Sequence, residues 1–479
     1  MNPLKMEFRR FIWLFTLLIW PAVHALALQP ETRVIPATSD LQVLQPLERG
    51  DKGVSTQGPV IDNAMLQKNP QLATALLNQA VEEGQWPMVS AILPVYEASP
   101  QADTSLVLYA RAGLAQSRGD YHQAISAYRT LLAEHPDYVR VRLDLAKALF
   151  EDRQYQAAAW NFTQARRQNP PPEVMEKIDS YLVYMDKHAG WTGNFSLSYL
   201  NDSNVNNASD GKYLILGDKV YQRNADSFPK RGEGVYFGGL AQRDFSLTDH
   251  QNLRFRTTLS GKSYWNNHDF DDITSRVYVG YAFLNARQQL ALLPFYEKRW
   301  YATEAYSAGM GIRAEYSYLL APDWQSSQAL EYQKLDYDNR DYAVLQGHNT
   351  LISSTLAHAV NARLSVFAGV DLGQQKTQVD AETNRRLGAR LGAETALPYG
   401  VSLGLMANLA QRTYQGENDI FQVKRKDDEQ VYALSLWHRD LYFFNLMPKV
   451  NVVYKVVNSN IDFYSYDETN VFLSVDKNF

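Results

Sequence analysis

The sequence predicts a multidomain α + β protein in which an α-solenoid of helical repeats precedes a 14-stranded antiparallel transmembrane β-barrel. Three observations predict this fold class. Helical motifs recur with a period of about 34 residues in the first part of the chain, apolar and polar residues alternate from Trp191 onward, and the alternation continues into the last residues. Such a repeat period is typical of stacked helical pairs, and a period of two is typical of strands with one apolar face.

Residues 1–63 lack the pattern of a folded domain. Residues 1–27 predict a secretory signal peptide, because three cations precede a short apolar run that ends at a small-x-small cleavage site. The cations are Lys5, Arg9 and Arg10, and the cleavage site is Ala25-Leu26-Ala27. An uncleaved anchor is the alternative, although the apolar run is too short to span a bilayer. Residues 28–63 are rich in Pro, Gly, Gln and Thr, which predicts an extended or disordered segment.

Residues 64–189 predict the helical domain. Four positions have equivalents one repeat period later, and the pairs are Tyr121 and Tyr155, Ala124 and Ala158, Tyr128 and Phe162, Pro136 and Pro170. The small Ala lets two helices pack closely and the Pro ends the second helix, as in a tetratricopeptide (TPR) repeat. A weaker copy with Trp86 in the aromatic position precedes these two, so we expect about three TPR-like repeats and a capping helix over 173–187.

Residues 190–479 predict the barrel. The alternating segments run for about ten or more residues, the length that a tilted membrane strand needs, whereas the strands of a soluble sandwich are shorter. We expect fourteen strands, starting near residues 191, 233, 250, 273, 287, 304, 323, 347, 363, 383, 399, 428, 447 and 464. Short and longer polar connections alternate, as in bacterial outer-membrane barrels. The even count predicts that both ends of the barrel chain and the helical domain lie on the short-turn, periplasmic side.

The chain stops inside a predicted strand. Val471, Leu473, Val475 and Phe479 share its apolar face. The last strand must pair with the first, because an open strand edge does not persist in lipid. The terminal Phe479 resembles the carboxy-terminal signal that the barrel-assembly machinery reads, and we expect it to act as an assembly signal.

Composition and motifs exclude several functions. The formal net charge is -5 and there is no cysteine. The basic footprint of nucleic-acid binding is therefore missing, and disulfides, thiolate metal sites and Cys nucleophiles are excluded. No motif supports catalysis, so we expect no enzyme activity, no cofactor and no metal. The acidic run Asn266–Asp272 offers oxygen ligands suited to calcium, but a solvated loop is the commoner explanation.

Two sets of residues are candidates for function. Charges of both signs lie on the polar face of the strands, and they are Arg254, Arg256, Arg276, Arg313, Glu331, Arg390 and Glu394. They predict a salt-bridge lattice that fills the interior, or a polar conduit, and the two are compatible. The concave face of a TPR array is the usual partner-binding groove, and here its predicted residues are Tyr109, Arg140, Leu143, Lys147 and Phe150. An ordinary solvated surface is the alternative for each of these.

The signal peptide, short TPR array and fourteen-stranded barrel together resemble the surface lipoprotein assembly modulator (Slam) family. The segment GNFSLSYLNDSNVNNA, from Gly193 to Ala208, is similar to the first strand of that family and its Asp-Ser-Asn-Val-Asn stretch. That stretch is Asp202, Ser203, Asn204, Val205 and Asn206 in this chain. The resemblance implies a non-enzymatic translocon that carries a surface lipoprotein, or a secreted haem-acquisition protein, across the outer membrane. A nematode-colonisation factor belongs to the same family, so the resemblance also suggests a role in host colonisation.

The implied partners are a client protein, usually encoded nearby, a periplasmic chaperone, the barrel-assembly machinery and outer-membrane lipid. Two other functions remain open at this point. Polysaccharide exporters also join TPR repeats to a barrel, but they carry many more repeats than three. A passive porin is the second alternative, although the helical domain would then have no purpose.

Overall fold

The computed structural model describes residues 63–216, 218–441 and 446–478. The predicted signal peptide, nearly all of the segment 28–63, and Phe479 lie outside the described residues. The described chain forms a helical domain followed by a closed barrel. The predicted fold class is thereby confirmed.

The helical domain contains three helical pairs flanked by single helices. The helices are α1 (Asn63–Lys68), α2 (Pro70–Glu82), α3 (Trp86–Glu97), α4 (Thr104–Ser117), α5 (Tyr121–Glu134), α6 (Val139–Glu151), α7 (Tyr155–Arg166) and α8 (Pro172–His188). Ala124 and Ala158 are fully buried between paired helices, and the equivalent aromatics Tyr128 and Phe162 lie beside them in the core. The repeat period thus places a small and a large residue in each repeat where the helices make contact.

The turns between paired helices follow the same repeat. Gly84 and Gly119 adopt left-handed backbone conformations, with φ of 67° and 74°, and Arg153 adopts φ of 62° at the third equivalent turn. Glycine takes this conformation without steric cost, whereas a residue with a Cβ is strained there. The third turn therefore keeps the repeat geometry with a strained residue.

No helix among the described residues is long and apolar enough to cross a membrane.

The barrel consists of fourteen antiparallel strands, and a separate hairpin lies in its first connection. The barrel strands are β1 (Thr192–Asp202), β4 (Gly232–Ser246), β5 (Gln251–Tyr264), β6 (Asp272–Leu284), β7 (Gln288–Tyr301), β8 (Glu304–Ala321), β9 (Trp324–Tyr337), β10 (Gly347–Ala359), β11 (Leu364–Thr377), β12 (Asn384–Ala396), β13 (Val401–Glu417), β14 (Lys424–His438), β15 (Met447–Ser459) and β16 (Tyr466–Asn478). The hairpin pairs β2 (Tyr213–Leu216) with β3 (Lys219–Gln222). Each barrel strand pairs with the next barrel strand in sequence, and β16 pairs with β1 to close the barrel.

The two faces of the barrel wall differ as the alternation predicts. Outward residues such as Met310, Leu387 and Leu391 are 69%, 60% and 61% exposed, and inward residues are polar and largely buried. A closed barrel with an apolar exterior satisfies its backbone polar groups internally, which is what a bilayer requires.

We call the end at which β1 begins the near end, and the opposite end the far end. The described near-end turns are short, including 247–250, 285–287 and 322–323, whereas the first far-end connection runs from 203 to 231. The polar sequence of 414–429 predicts a long far-end loop, but the structure shows that this region is mostly strand and that only 418–423 connects β13 to β14. The alternation of apolar and polar residues fades in this stretch, so the sequence pattern does not show how far the strands extend.

Candidate functional site

One wall of the barrel interior carries a continuous chain of ion pairs. Glu315 accepts hydrogen bonds from Arg256 at 2.9 and 3.0 Å and from Arg313 at 2.6 Å. Glu331 in turn lies 2.9 Å from both Arg313 and Arg276. Arg276 also pairs with Glu297, which ends the chain. Three cations and three anions therefore neutralise one another across strands β5 to β9.

The opposite wall repeats this arrangement in smaller groups. Arg386 and Arg412 both donate to Glu429 at 2.7 Å, and Arg390 lies 2.7 Å from Asp371. At the edge of the first wall, Arg254 of β5 forms two 2.7 Å hydrogen bonds with Asp244 of β4.

The predicted lumen charges Arg254, Arg256, Arg313 and Arg390 therefore all lie within ion pairs, and Glu394 lies on the same face of β12 as Arg390. Because each of these charges has a neighbour of opposite sign, the wall exerts only a weak net electrostatic field on a passing molecule.

The connection 203–231 lies at the far end of the barrel, and we call it the far-end loop. The family-like segment begins with Asp202 at the end of β1 and continues as Ser203–Asn206 in the first part of the loop, where Asn204 is only 3% exposed. The Asn204 amide donates to the carbonyl oxygens of Ala208 at 2.9 Å and Asp467 at 3.3 Å, and its side-chain oxygen accepts from Ala208 N at 2.9 Å. One buried side chain thus joins the loop to itself and to β16.

Two further anchors hold the loop in place. Asn206 bonds to Phe228 O at 2.9 Å and to Lys230 N at 2.8 Å, which ties the two limbs of the loop together. The Arg223 guanidinium lies 5.1 Å from the ring centres of both Phe228 and Phe463, the latter in the connection between β15 and β16. Because these partners are buried or stacked, the loop is part of the folded barrel and packs against the far-end rim at β16 and the connection before it.

The near end carries the helical domain. Asp152, in the turn between α6 and α7, lies 2.9 Å from His250 Nε2 and accepts a 3.5 Å hydrogen bond from Ala286 N. In the preceding repeat the carbonyl of Arg118 accepts from Arg287 at 3.2 Å, and Gly119 lies against the Arg287 guanidinium. Two successive repeat turns thus contact two successive near-end turns of the barrel. We call these contacts the near-end dock.

The electrostatics of the dock favour a charged histidine. The hydrogen bond to Asp152 raises the pKa of the His250 imidazole above its ordinary value, with smaller contributions from the charges of Asp152 and Asp249, while partial burial opposes the shift. Asp152 is also held by Gln154, whose amide donates to it at 2.9 Å. The strained turn around Arg153 therefore presents a positioned carboxylate to the barrel.

A polar cluster lies on the helical face that the sequence assigned to partner binding. The Tyr109 hydroxyl donates to Asp144 at 2.5 Å and accepts from Arg140 Nε at 2.9 Å. Burial raises the pKa of the Asp144 carboxyl, although Tyr109 and Arg140 oppose this. Arg140 and Lys147 are about half exposed, with side-chain exposures of 55% and 52%. Both cations are therefore accessible to a partner.

The remaining groove residues are less accessible. Leu143 packs against the helical core, and Phe150 is 8% exposed because Tyr155, Tyr181 and Tyr184 surround its ring. Phe150 is thus largely enclosed, and of the five predicted groove residues Arg140 and Lys147 are the exposed ones.

The acidic run considered for calcium has other partners. The Asp271 carboxylate accepts from Tyr264 N at 2.7 Å and Ser263 at 3.0 Å, while Asp272 pairs with Arg299. Among the residues that the structure describes, no group of three or more His, Asp or Glu side chains could hold a metal ion.

Sequence reasoning missed the near-end dock. Its residues belong to short turns, where side-chain direction does not follow from periodicity. One signal was available: Arg153 replaces the glycine found at the equivalent turns of the two preceding repeats, Gly119 and Gly84. A residue that accepts strain at a repeated glycine position often has a role outside its own repeat.

Comparison with known proteins agrees with this architecture. The family described as "Surface lipoprotein assembly modifier" matches residues 191–479, and its N-terminal TPR repeats match residues 60–162. A protein named "Surface lipoprotein assembly modifier" from Pasteurella multocida is 31% identical over 435 residues, covering 86% of this chain and 84% of that protein. "Surface lipoprotein assembly modifier 1" from Neisseria meningitidis serogroup B is 32% identical over 427 residues, covering 88% and 85%.

A more distant relative carries a different name. "Hemophilin secretion modulator" from Acinetobacter baumannii is 24% identical over 434 residues, covering 86% of this chain and 87% of that protein. Among solved structures, the Pseudomonas putida toluene transporter TodX and a bacterial polysaccharide outer membrane secretin each reach a TM-score of 0.34 at 12% identity. They cover 60% and 61% of this chain and 90% and 98% of their own, and so low a score carries no argument. By the family match and the relatives from P. multocida and N. meningitidis, this chain is a non-enzymatic outer-membrane protein that belongs to the surface lipoprotein assembly modifier family.

Proposed function

We propose that the protein is an outer-membrane translocon that delivers a client lipoprotein from the periplasm to the cell surface. In this proposal the near end and the helical domain face the periplasm, and the far-end loop faces outward. The names of the relatives from P. multocida and N. meningitidis support a lipoprotein client. The name of the A. baumannii relative supports a secreted haem-acquisition protein as the other client class.

The near-end dock is the observation that carries the proposal. A TPR face presents accessible cations while the same domain is fixed to the barrel turns through Asp152 and Arg118. A client held on that face is tethered at the barrel mouth, which raises its local concentration there without any new contact. A periplasmic chaperone could hand the client to the same face.

The barrel interior suits passage of a polypeptide. A translocating backbone needs water or polar partners, which lipid does not offer. The paired charges of the lumen supply polar groups while their mutual neutralisation limits tight binding of either sign of client charge. We infer that direction comes from folding or capture of the client outside. The barrel-assembly machinery and the surrounding lipid are the partners that its own insertion requires.

Surface exposure of a client tests the proposal. Cells would express a candidate client, chosen as a lipoprotein encoded near this gene, with the wild-type protein, without it, or with an unrelated outer-membrane barrel. Protease treatment of intact cells should remove the lipoprotein only where the wild-type protein is present. Equal surface exposure in all three strains would refute a translocon.

Orientation is tested separately with epitope tags. A tag inserted between β2 and β3 should bind antibody on intact cells, whereas a tag at Pro322-Asp323 should bind only after the outer membrane is opened. The reverse labelling would place the helical domain outside the cell.

A further inference from the structure

The seam between β1 and β16, where the barrel closes, is incompletely paired. Backbone pairing runs from Asn194 with Asn478 to Ser198 with Ser474, and resumes only at Asp202 with Asn470. The register is the same on both sides of this interval. Tyr199–Asn201 therefore lie opposite Val471–Leu473 without ladder pairing, although all six residues are described. We call this interval the seam gap.

The neighbouring seams show that the gap does not come from either strand alone. On its other side, β1 pairs with β4 without interruption from Thr192 to Asp202. Strand β16 likewise pairs with β15 continuously from Tyr466 to Asp476.

A mid-strand interruption between β6 and β7 has a local cause. It faces Pro294, which has no N–H to donate. The seam gap contains no proline, so it is a property of the way in which β1 and β16 meet.

Buried polar atoms on both sides of the gap also lack partners. Within the described chain, Ser198 Oγ and Asn470 Oδ1 are buried without a hydrogen bond, and these residues occupy the paired positions that border the gap. Both side chains lie on the inward face of their strands, so polar groups border the gap on the side of the lumen.

Toward the far end, beyond the single ladder pair of Asp202 with Asn470, the two strands are joined by side chains. Ser203 Oγ accepts from Thr469 N at 3.2 Å, and Asn204 donates to Asp467 O at 3.3 Å. Lys262 of β5 lies 3.8 Å from Asp202 and 4.0 Å from Glu468, so it reaches both strands. The seam is therefore held on both sides of the gap, and parting Tyr199–Asn201 from Val471–Leu473 alone breaks no ladder hydrogen bond.

The gap connects two different environments. On its outer side Val471 and Leu473 are 53% and 55% exposed and present an apolar surface. On its inner side the gap faces Leu200, which is buried with Val205 and Tyr264 in an apolar cluster, while the ion pairs described above lie on other parts of the inner wall. Acyl chains are stable beside the apolar residues on both sides of the gap and not beside the charged parts of the wall, because apolar groups are excluded from polar, hydrated surroundings.

We propose that the seam gap is a lateral exit through which the acyl chains of a lipid-anchored client pass from the lumen into the bilayer. This inference rests on the proposed function. It adds a separate route for the lipid: the polypeptide leaves through the far end while its acyl chains leave through the wall. A client without acyl chains has no need of the exit.

Disulfide locks test the exit, since the chain has no cysteine of its own. The lock Asn201→Cys with Val471→Cys joins opposed positions across the gap. The matched control, Asn201→Cys with Glu233→Cys, shares one cysteine and joins register partners across the uninterrupted β1–β4 seam. Each variant would be assayed oxidised and after reduction on the same cells, and heat-modifiable migration in gels would verify barrel assembly.

The probes are the candidate client lipoprotein and the same protein with its acylated cysteine replaced by alanine. We expect the gap lock to abolish surface exposure of the acylated probe, reductant to restore it, and the control lock to have no effect. The non-acylated probe should still be released through the locked barrel. Normal exposure of the acylated probe through an oxidised lock, or equal loss of both probes, would overturn the exit.

The unlocked strains separate this inference from the proposed function. If exposure of the acylated probe is the same with and without the wild-type protein, the translocon itself fails and the exit fails with it. If exposure depends on the wild-type protein and the gap lock leaves it unchanged, only the exit fails.

Discussion

The two ends of the barrel are occupied in different ways. The far end carries a loop whose Asn204 and Asn206 are buried and hydrogen-bonded within the fold. The near end is joined to a separate domain through a few polar contacts, in which His250 keeps 24% of its side chain exposed. Removing the loop from its place breaks many buried hydrogen bonds, whereas undocking the helical domain breaks a handful of partly hydrated ones. The far-end loop is thus the more firmly held part, and the near end is the more easily rearranged.

The largest effect should come from opening the far end. Replacing residues 203–231 with a short Gly-Ser linker from Asp202 to Gly232 removes the loop, which we propose to lie across the opening, and these flanking residues are register partners. We expect single-channel conductance in planar bilayers to rise many-fold. The control deletes only the hairpin 213–222, whose Tyr213 and Ile215 are exposed, and should conduct like the wild type. Equal conductance of all three proteins would show that the loop does not close the barrel.

Removing the near-end domain should lower export without affecting the barrel. A chain that keeps its signal peptide but lacks residues 28–187 should still show heat-modifiable migration. Surface client should fall by about tenfold or more, because a tethered site supplies an effective concentration that free diffusion does not. Undiminished export by the barrel alone would mean that the helical domain has no part in delivery.

A smaller effect is expected from loosening the near-end dock. Asp152→Ala removes the acceptor for His250 and Ala286, while Asp137→Ala alters an exposed acid in a turn that makes no such contact. We expect Asp152→Ala to lower surface client by roughly threefold, since a partly exposed ion pair contributes about 0.2–1 kcal/mol. Hydrogen exchange of the amides in 247–250 should also increase. If both variants behave like the wild type, the dock is not needed for export.

The dock should also depend on pH. His250 binds Asp152 most strongly when protonated, and its pKa is raised by that hydrogen bond. The contribution to docking is therefore fully present below the ordinary histidine pKa of about 6.5 and is lost as pH rises through the raised value. Protection of the amides in 247–250, measured as exchange relative to the intrinsic rate at each pH, should fall over that range in the wild type and should lose this pH dependence in His250→Gln.

The smallest effect should follow charge reversal on the groove. Arg140→Glu with Lys147→Glu should reduce client export by roughly twofold, because each exposed contact contributes at most about 1 kcal/mol. Arg140 also bonds to Tyr109, so circular dichroism melting must show that the variant still folds. Arg166→Glu with Lys177→Glu changes the same charge on α7 and α8 and serves as the control. A control as defective as the groove variant would indicate a general charge effect.

Much of the fold followed from the sequence because each pattern corresponds to one packing constraint. The regular spacing of Ala124 and Ala158 gave the helical pairs, and period-two alternation gave all fourteen strands with starts within four residues of the observed ones. The lumen charges followed from the same alternation. Their partners did not, since an ion pair such as Arg276 with Glu331 joins strands far apart in sequence.

The two ends of the barrel were harder to predict. The fold of the far-end loop depends on side-chain hydrogen bonds from single residues such as Asn204, which leave no periodic signal. The near-end dock joins turns of two domains, and turns have no periodicity either. The assembly role of Phe479 stays a prediction, because that residue lies outside the described part of the chain.

The central claim is that the client crosses the membrane inside the barrel. It is tested most directly by placing a photo-cross-linking amino acid at Glu394, which faces the lumen, and separately at Leu391, which faces outward on the same strand. Irradiation during export should join the client to position 394 and not to position 391, and the adduct should disappear when client synthesis is stopped. Cross-links to position 391 alone, or to neither position while export continues, would contradict passage through the lumen.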